Sequence, residues 1–150
     1  MPGPELSPGR GGTPRRTVPL ERAEALRLLA AAPFGRIVFT ADALPAVRPV
    51  NHLIGDGGEV IVRTQPFAGL ARAAFGRPAI VAYHADEIDP VRRTGWSVLV
   101  TGPARLVTAA ELAAEYARRL GPWGDPHGGV VIGIEPTLVT GTRLIEEVPV

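Results

Sequence analysis

The sequence predicts a mainly β fold in which a small antiparallel barrel is flanked by helices. The main observation is the run Gly95–Val107, which contains only small, apolar or β-favouring residues apart from Arg105. Gly102-Pro103 interrupts this run, because proline cannot donate to a strand ladder, and predicts one long strand bent in its middle. Gly55–Gly58 lies between two further strand patterns and predicts a tight hairpin. A long bent strand that forms part of both sides of the barrel wall is typical of a small closed barrel.

Length and composition limit the class of protein. The chain has 150 residues, of which 45% are hydrophobic and 21% charged, so we expect one domain with one core. The formal charge of +1 argues against a general nucleic-acid binder, and the absence of cysteine excludes disulfides and thiol chemistry. No apolar run reaches the ~18 residues of a membrane span, and no secretory leader is evident. We therefore expect a cytoplasmic protein without a membrane partner.

The N-terminal part of the chain is predicted to be a tail followed by a helix. Met1–Val18 is rich in proline and glycine and has almost nothing to bury, so we expect a disordered tail, with the folded domain covering residues 19–150. From Leu20, apolar residues recur at helical spacing until Pro33 ends the pattern.

The remaining elements follow from the same periodicities. Strands are predicted at Arg36–Thr40, Pro45–Ile54, Glu59–Thr64, Pro78–Ala85, Val130–Ile134 and Leu138–Ile145. Helices are predicted at Phe67–Phe75 and, after a capping box at Thr108–Glu111, from Leu112 to Leu120.

Two groups of polar residues are candidates for metal binding. Asp86, Glu87 and Asp89 form an acidic corner that could hold a hard cation, but such carboxylates more often lie in a turn or pair with nearby arginines. His52, His84 and His127 lie in separate predicted elements and lack the spacing of a zinc site. We therefore expect no metal site.

Four segments carry recognisable motifs: DEIDPVRRTGWSVLVTGPA at Asp86–Ala104, AVRPVNHLI at Ala46–Ile54, VIVRT at Val60–Thr64 and PTLVTGTRL at Pro136–Leu144. Together they resemble the pyridoxamine 5′-phosphate oxidase-like family of flavin-binding split barrels, and the similarity extends from about Leu20 to Leu144. The resemblance implies a six- or so-stranded antiparallel split β-barrel with flanking helices. It also implies a homodimer with two cofactor sites at its interface.

The resemblance further implies a binding site for flavin mononucleotide (FMN). The residues at the matching positions are Arg48, Val50, Asn51, Val62, Arg63, Thr64, Trp96 and Ser97. Related proteins usually carry Ser or Thr followed by Lys where this chain has Ala68 and Gly69. Two side-chain ligands of the cofactor phosphate are therefore absent here.

The residue types are compatible with such a site. Arg48 and Arg63 can bind a phosphate in bidentate fashion, and Thr64 adds a hydroxyl. The first turn after Phe67 would present free N–H groups to an anion. Trp96 can pack on an aromatic ring and Ser97 can hydrogen-bond a ring heteroatom. From the residues alone, the alternative is that the arginines face solvent and Trp96 is an ordinary core residue.

The predicted function is FMN binding with oxidoreductase chemistry, in which the flavin carries the electrons and no catalytic residue is assigned. One alternative is a deazaflavin-dependent reductase. The other is a non-catalytic split-barrel binding protein that has lost the cofactor, which the Ala68-Gly69 pair favours. In the predicted homodimer, Trp123 of the loop Pro122–Gly129 could reach the second subunit, or it could be an ordinary loop tryptophan.

Overall fold

The computed structural model describes residues 14–73, 77–122 and 129–147. Most of the predicted loop Pro122–Gly129, including Trp123 and His127, lies outside the described residues.

Nine strands and three helices make up the described part of the chain. The strands are β1 (Arg15–Pro19), β2 (Gly35–Ala41), β3 (Leu44–Val50), β4 (Leu53–Ile54), β5 (Val60–Thr64), β6 (Ala79–Asp89), β7 (Thr94–Leu106), β8 (Val130–Ile134) and β9 (Leu138–Glu146). The helices are α1 (Arg22–Ala31), α2 (Ala68–Ala73) and α3 (Ala110–Leu120). The predicted mainly β, antiparallel split barrel with flanking helices is confirmed. There are more strands than the six or so expected, because β4 is only two residues long and β1 lies in the proline-rich segment.

The sheet follows the order β3-β2-β6-β7-β8-β5-β4, and β9 adds to β7 and carries β1 on its far side. Strand β7 pairs with β6 along almost its whole length. On its other edge it pairs first with β9, from Gly95 to Thr101, and then with β8, from Ala104 to Leu106. The predicted interruption at Gly102-Pro103 is where β7 changes partner. A Cβ at Gly102 would lie 1.8 Å from the carbonyl oxygen of Glu135, so only glycine allows the β8–β9 connection to pass there.

The core has two parts. The larger cluster fills the barrel with the inward residues of β2, β5, β6, β7 and β8, and α1 adds Ala25 and Leu29 to it. The smaller cluster lies on the outer side of β5 and β8, where Tyr116 and Leu120 of α3 pack on Ile61 and Val131. Strand β5 therefore separates two environments, the barrel interior and the space under α3.

The predicted disordered tail, Met1–Val18, includes residues that form a strand. Residues Arg15–Val18 belong to β1, which pairs with β9 from Arg15 with Glu146 to Pro19 with Thr142. This segment has few apolar residues because the strand lies at the sheet edge and is held mainly by backbone hydrogen bonds. Residues 1–13 are outside the described part of the chain.

The predicted strand Pro45–Ile54 is divided, because the chain leaves the ladder at Asn51 and His52 between β3 and β4. The predicted hairpin around Asp56-Gly57 is confirmed, with Ile54 paired to Val60.

The predicted capping box at Thr108–Glu111 is wrong. Helix α3 begins at Ala110, its N-cap is Ala109, and no side chain caps it. The reason is that the chain is still held in an extended form after β7, where the N–H of Val107 donates to the carbonyl of Val131 over 3.0 Å.

The predicted acidic corner lies within β6 instead of a turn, since that strand continues to Asp89. The Asp89 carboxylate accepts hydrogen bonds from the backbone N–H groups of Arg92 and Val91, which lower its pKa and order the turn into β7.

Candidate functional site at the barrel seam

Arg48 connects two strands, β3 and β5, that share no backbone ladder in the described sheet. Its Nη1 donates to the hydroxyl of Thr64 over 3.2 Å and to the carbonyl of Gln65 over 2.9 Å. Its guanidinium carbon lies 4.6 Å from the ring centroid of Phe39, which stacks on Phe67. We call this opening between β3 and β5, bridged by Arg48, the seam.

The strand pattern explains why Arg48 points into the seam. Alternate residues of β3 face the barrel interior, so Val50, which is buried, and Arg48 lie on the same side. On β5 the same alternation directs Val62 and Thr64 inward, and Thr64 is only 5% exposed. Pro66 then ends the strand pattern beyond Gln65.

The seam can bind an anion. Only Nη1 of Arg48 has a hydrogen-bond partner among the described residues, so the rest of the half-buried guanidinium fork remains available. Because the Thr64 hydroxyl accepts from Arg48, its own hydrogen is free to be donated to a ligand. The stacked rings of Phe39 and Phe67 add an apolar surface beside the charge.

Arg63 is not in the seam. It lies between Val62 and Thr64 and so faces the opposite side of β5, toward α3. A Cβ at Gly129 would lie 3.0 Å from its Nε, which shows that the Arg63 side chain runs along the start of β8. The structure therefore does not bring Arg48 and Arg63 together around one phosphate.

Val50 and Asn51 lie where the chain leaves β3. The amide of Asn51 donates to the carbonyl of Leu120 over 2.6 Å, and so satisfies one of the unpaired carbonyls at the end of α3. The Val50 carbonyl lies 3.2 Å from the buried hydroxyl of Tyr83. Within one chain these two residues hold the fold around the seam.

Trp96 and Ser97 lie on opposite faces of β7. Trp96 is 8% exposed and belongs to the core, and its indole N–H has no hydrogen-bond partner among the described residues. Ser97 is on the outer face, where its hydroxyl is 2.9 Å from Nε2 of His84. Asp86 approaches the same Nε2, at 3.8 Å, so these residues do not form a Ser-His-Asp relay, in which the carboxylate must bind the other ring nitrogen.

The segment after Phe67 is a short helix. Helix α2 has six residues, and the N–H of Leu70 donates to the carbonyl of Phe67. A Cβ at Gly69 would lie 3.3 Å from the Cβ of Ala79, so this position faces β6 and has little room for a side chain. Ala68 is exposed.

Sequence reasoning identified Arg48 and Thr64 but missed Phe39, Phe67 and the Gln65 carbonyl. The alternation in the predicted strand Arg36–Thr40 could have shown that Phe39 faces inward beside Ile37. The described residues contain no group of three or more metal-ligating side chains. In the same residues no helix has the length and apolarity to span a bilayer.

Fold and site together define a class of protein: a small antiparallel split barrel whose seam is bridged by a half-buried arginine. Comparisons with known proteins agree with this class. The family model described as pyridoxamine 5′-phosphate oxidase matches residues 21–143. The chain belongs to this family.

Individual relatives can also be named. An uncharacterised protein of Mycobacterium tuberculosis is 48% identical over 149 residues, which cover 95% of this chain and 97% of the relative. The structure of an FAD-binding protein from Mycobacterium smegmatis is similar at 30% identity with a TM-score of 0.61, covering 86% of this chain and 100% of that one. The structure of an FAD-binding protein from Mesorhizobium loti shares the fold, at 20% identity and a TM-score of 0.68, covering 89% of this chain and 100% of that one.

Proposed function

We propose that this protein binds a flavin at the seam and that the flavin is FMN. The observation that carries the proposal is Arg48, a half-buried cation held across the seam by Thr64 and Gln65 with most of its donors still available. A half-buried cation of this kind suits a phosphate group. The 30% identical FAD-binding protein from Mycobacterium smegmatis supports a flavin as the ligand.

The residues of the seam have distinct roles in this proposal. Arg48 and Thr64 bind the phosphate, and Val50 and Val62 form the apolar wall behind it. Asn51 fixes the chain beside the site through its bond to α3. When bound, the flavin supplies the electron-transfer chemistry of an oxidoreductase, and the protein supplies binding and orientation.

We also propose a homodimer. The outer face of β3, β2, β6, β7 and β9 presents apolar side chains to solvent, with Val47 57% and Leu138 58% exposed and Leu99 and Ile80 between them. Exposed apolar surface on a sheet favours a partner. Ser97 lies on this face, whereas Trp96 and Arg48 are on the inner side of the barrel wall. A site that includes both Ser97 and Arg48 would have to be built from two copies, which supports a second copy of this chain as the partner.

Two alternatives differ in the ligand. A deazaflavin coenzyme also carries phosphate and would use Arg48 in the same way. A binding protein without a cofactor is favoured by the absence of the lysine that related proteins carry, and the Cβ of a side chain at Gly69 would lie a tight 3.3 Å from the Cβ of Ala79.

The test is a titration of the ligand-free protein with FMN, FAD, riboflavin and a deazaflavin coenzyme, followed by visible absorbance. Arg48→Gln should weaken FMN binding by ~10-fold or more, because hydrogen bonds to charged groups contribute on the order of 1.5–3 kcal/mol. Riboflavin, which has no phosphate, should bind the variant and the wild type equally. Arg27→Gln, at an exposed position of α1, is the matched control and should change neither affinity.

If Arg48→Gln lost affinity for FMN and for riboflavin equally, Arg48 would not contact the phosphate, and the phosphate would bind elsewhere. Arg63→Gln then shows whether the site extends to the other face of β5. A deazaflavin that binds more tightly than FMN favours the first alternative, and no binding of any of the four ligands favours the second.

A further inference from the structure

His84 and Ser97 form a hydrogen-bonded pair on the outer face of the sheet. They lie on the neighbouring strands β6 and β7, and Ser97 is directly opposite Asp86 in the register. Nε2 of His84 is 2.9 Å from the Ser97 hydroxyl and 3.8 Å from Oδ2 of Asp86. The His84 side chain is 28% exposed. A polar pair with one defined geometry is therefore set into the face that we propose as the dimer contact.

The carboxylate of Asp86 determines which hydrogen-bonding role Nε2 of His84 takes. A lone pair on Nε2 would face the negative oxygen and be repelled by it, whereas an N–H group is attracted. Arg36, opposite His84 on β2, lies 4.0 Å from the other oxygen of this carboxylate, Oδ1, and so leaves Oδ2 toward the ring. Nε2 therefore carries the hydrogen, and in the neutral ring Nδ1 is the nitrogen without one.

This arrangement makes Ser97 a donor toward a group that approaches the outer face. Its oxygen accepts from His84, and its side chain forms no other hydrogen bond within the described residues. A serine without such a neighbour can turn its hydroxyl either to donate or to accept. The bond from His84 occupies an acceptor position and directs the hydroxyl hydrogen away from the ring, so the group that faces outward is the O–H.

We propose that His84 is a positioning residue, which directs the Ser97 hydroxyl toward a hydrogen-bond acceptor on the ring of a flavin bound in the seam of a second copy. The inference rests on the proposed flavin binding and homodimer, because Ser97 and Arg48 can share one ligand only across two copies. The ring of an oxidised flavin offers N1, O2, O4 and N5 as acceptors, and N3–H as a donor. A donor at Ser97 therefore selects the acceptor edges of the ring over N3–H.

Nitrogen-15 NMR of the imidazole side chains measures the tautomer of His84 in the ligand-free full chain. We expect the neutral ring to carry its hydrogen on Nε2. Asp86→Asn should increase the share of the other tautomer, because the negative charge beside Nε2 is lost. A wild-type neutral ring with its hydrogen on Nδ1 would overturn the proposal, because Ser97 would then have to donate to His84.

FMN binding, followed by visible absorbance, measures the effect on the ligand. Ser97→Ala should weaken binding by about 3- to 10-fold, as expected for one hydrogen bond between neutral groups, and should shift the visible band of the bound flavin. His84→Leu should act in the same direction on both, whereas His84→Gln, which keeps an N–H donor, should resemble the wild type. In the Ser97→Ala background, His84→Leu should have no further effect, because it acts through the hydroxyl.

Thr101→Val is the matched control, since it removes a hydroxyl from the same face of β7 and should change neither the affinity nor the band. If His84→Leu and Ser97→Ala bind FMN like the wild type while Arg48→Gln binds it weakly, the flavin site stands and this inference fails. Losses that add in the double variant would show that His84 does not act through Ser97. A wild type that binds FMN as a monomer would also overturn the inference alone, and one that binds no flavin would overturn the proposed function with it.

Discussion

The hydroxyl of Tyr83 donates a hydrogen bond to the imidazole of His52 where the chain leaves strand β3. The direction follows from the other ring nitrogen of His52, which lies 2.6 Å from the carbonyl of Leu29. A carbonyl can only accept, so that nitrogen carries the hydrogen. Burial lowers the pKa of His52 and so favours the neutral ring, in which Nδ1 accepts from the Tyr83 hydroxyl; the same hydroxyl lies 3.2 Å from the Val50 carbonyl. This pair links the break between β3 and β4 to helix α1.

Replacing Tyr83 by Phe should lower the free energy of unfolding by ~1–3 kcal/mol, because it leaves a buried His52 nitrogen without its donor. Burial raises the pKa of Tyr83 far above its usual range, so the hydroxyl keeps its hydrogen at every relevant pH. Urea unfolding measures the change. Tyr116→Phe is the matched control, since that hydroxyl has no partner among the described residues, and an equal loss in both variants would contradict the role of Tyr83.

Stability should also depend on pH through His52. Burial lowers its pKa below 6.5, because desolvation disfavours the charged ring more than the Leu29 carbonyl favours it. The unfolded chain then binds more protons than the folded one, so stability that is present above 6.5 is lost as pH falls toward the folded pKa. Urea unfolding across this range should show the decline. The decline in unfolding free energy with falling pH should be smaller in His52→Gln, but unchanged in His84→Gln, which alters a residue on the outer face. If His52→Gln showed the same pH dependence as the wild type, the decline would arise from other groups.

Gly102→Ala should be strongly destabilising, by ~1–3 kcal/mol or more, because the new Cβ would overlap the Glu135 carbonyl oxygen. Gly133→Ala on the adjacent strand is the comparison. Its Cβ would meet Ile61 at an ordinary contact distance of 3.4 Å, so its effect should be small. The denaturant midpoints of the two variants measure this difference in stability. Similar midpoints would show that β8 and β9 can move away from Gly102.

Two truncations test strand β1. Deleting residues 1–18 should lower the melting temperature by several degrees, about what a loss of 1–2 kcal/mol produces in a domain of this size, because β9 loses its outer partner. Deleting residues 1–13 keeps the ladder and should have a much smaller effect. If both truncations melt like the full chain, β1 contributes nothing to stability.

The proposed homodimer is tested at its apolar face. The wild type should sediment as a dimer at micromolar concentration, and Leu99→Glu should sediment as a monomer, because it places a charge near the middle of that face. Val91→Glu is the control: this residue is 86% exposed in the turn before β7 and should leave the dimer intact. A monomeric wild type would exclude the dimer under these conditions.

The sequence by itself determined the local elements and the class of fold. The β-favouring residues predict one strand over Gly95–Val107, and the structure has it at Thr94–Leu106. Gly102-Pro103 predicts its interruption, and Gly58, at φ 86°, shows why the β4–β5 hairpin needs glycine. These features depend on neighbouring residues, so they can be read from spacing alone. The family resemblance had the same basis, because its motifs coincide with these strands.

Only the tertiary structure decided which side chains meet. Arg48 and Arg63 are equivalent in the sequence, but the pairing of β5 with β8 and the position of α3 place one in the seam and the other on the opposite side. In the same way, β1 is a strand only because β9 offers it an edge, and the chain breaks at Asn51 and His52 because Leu120, Tyr83 and Leu29 supply distant hydrogen-bond partners. Such contacts join residues far apart in the chain, and local periodicity carries no information about them.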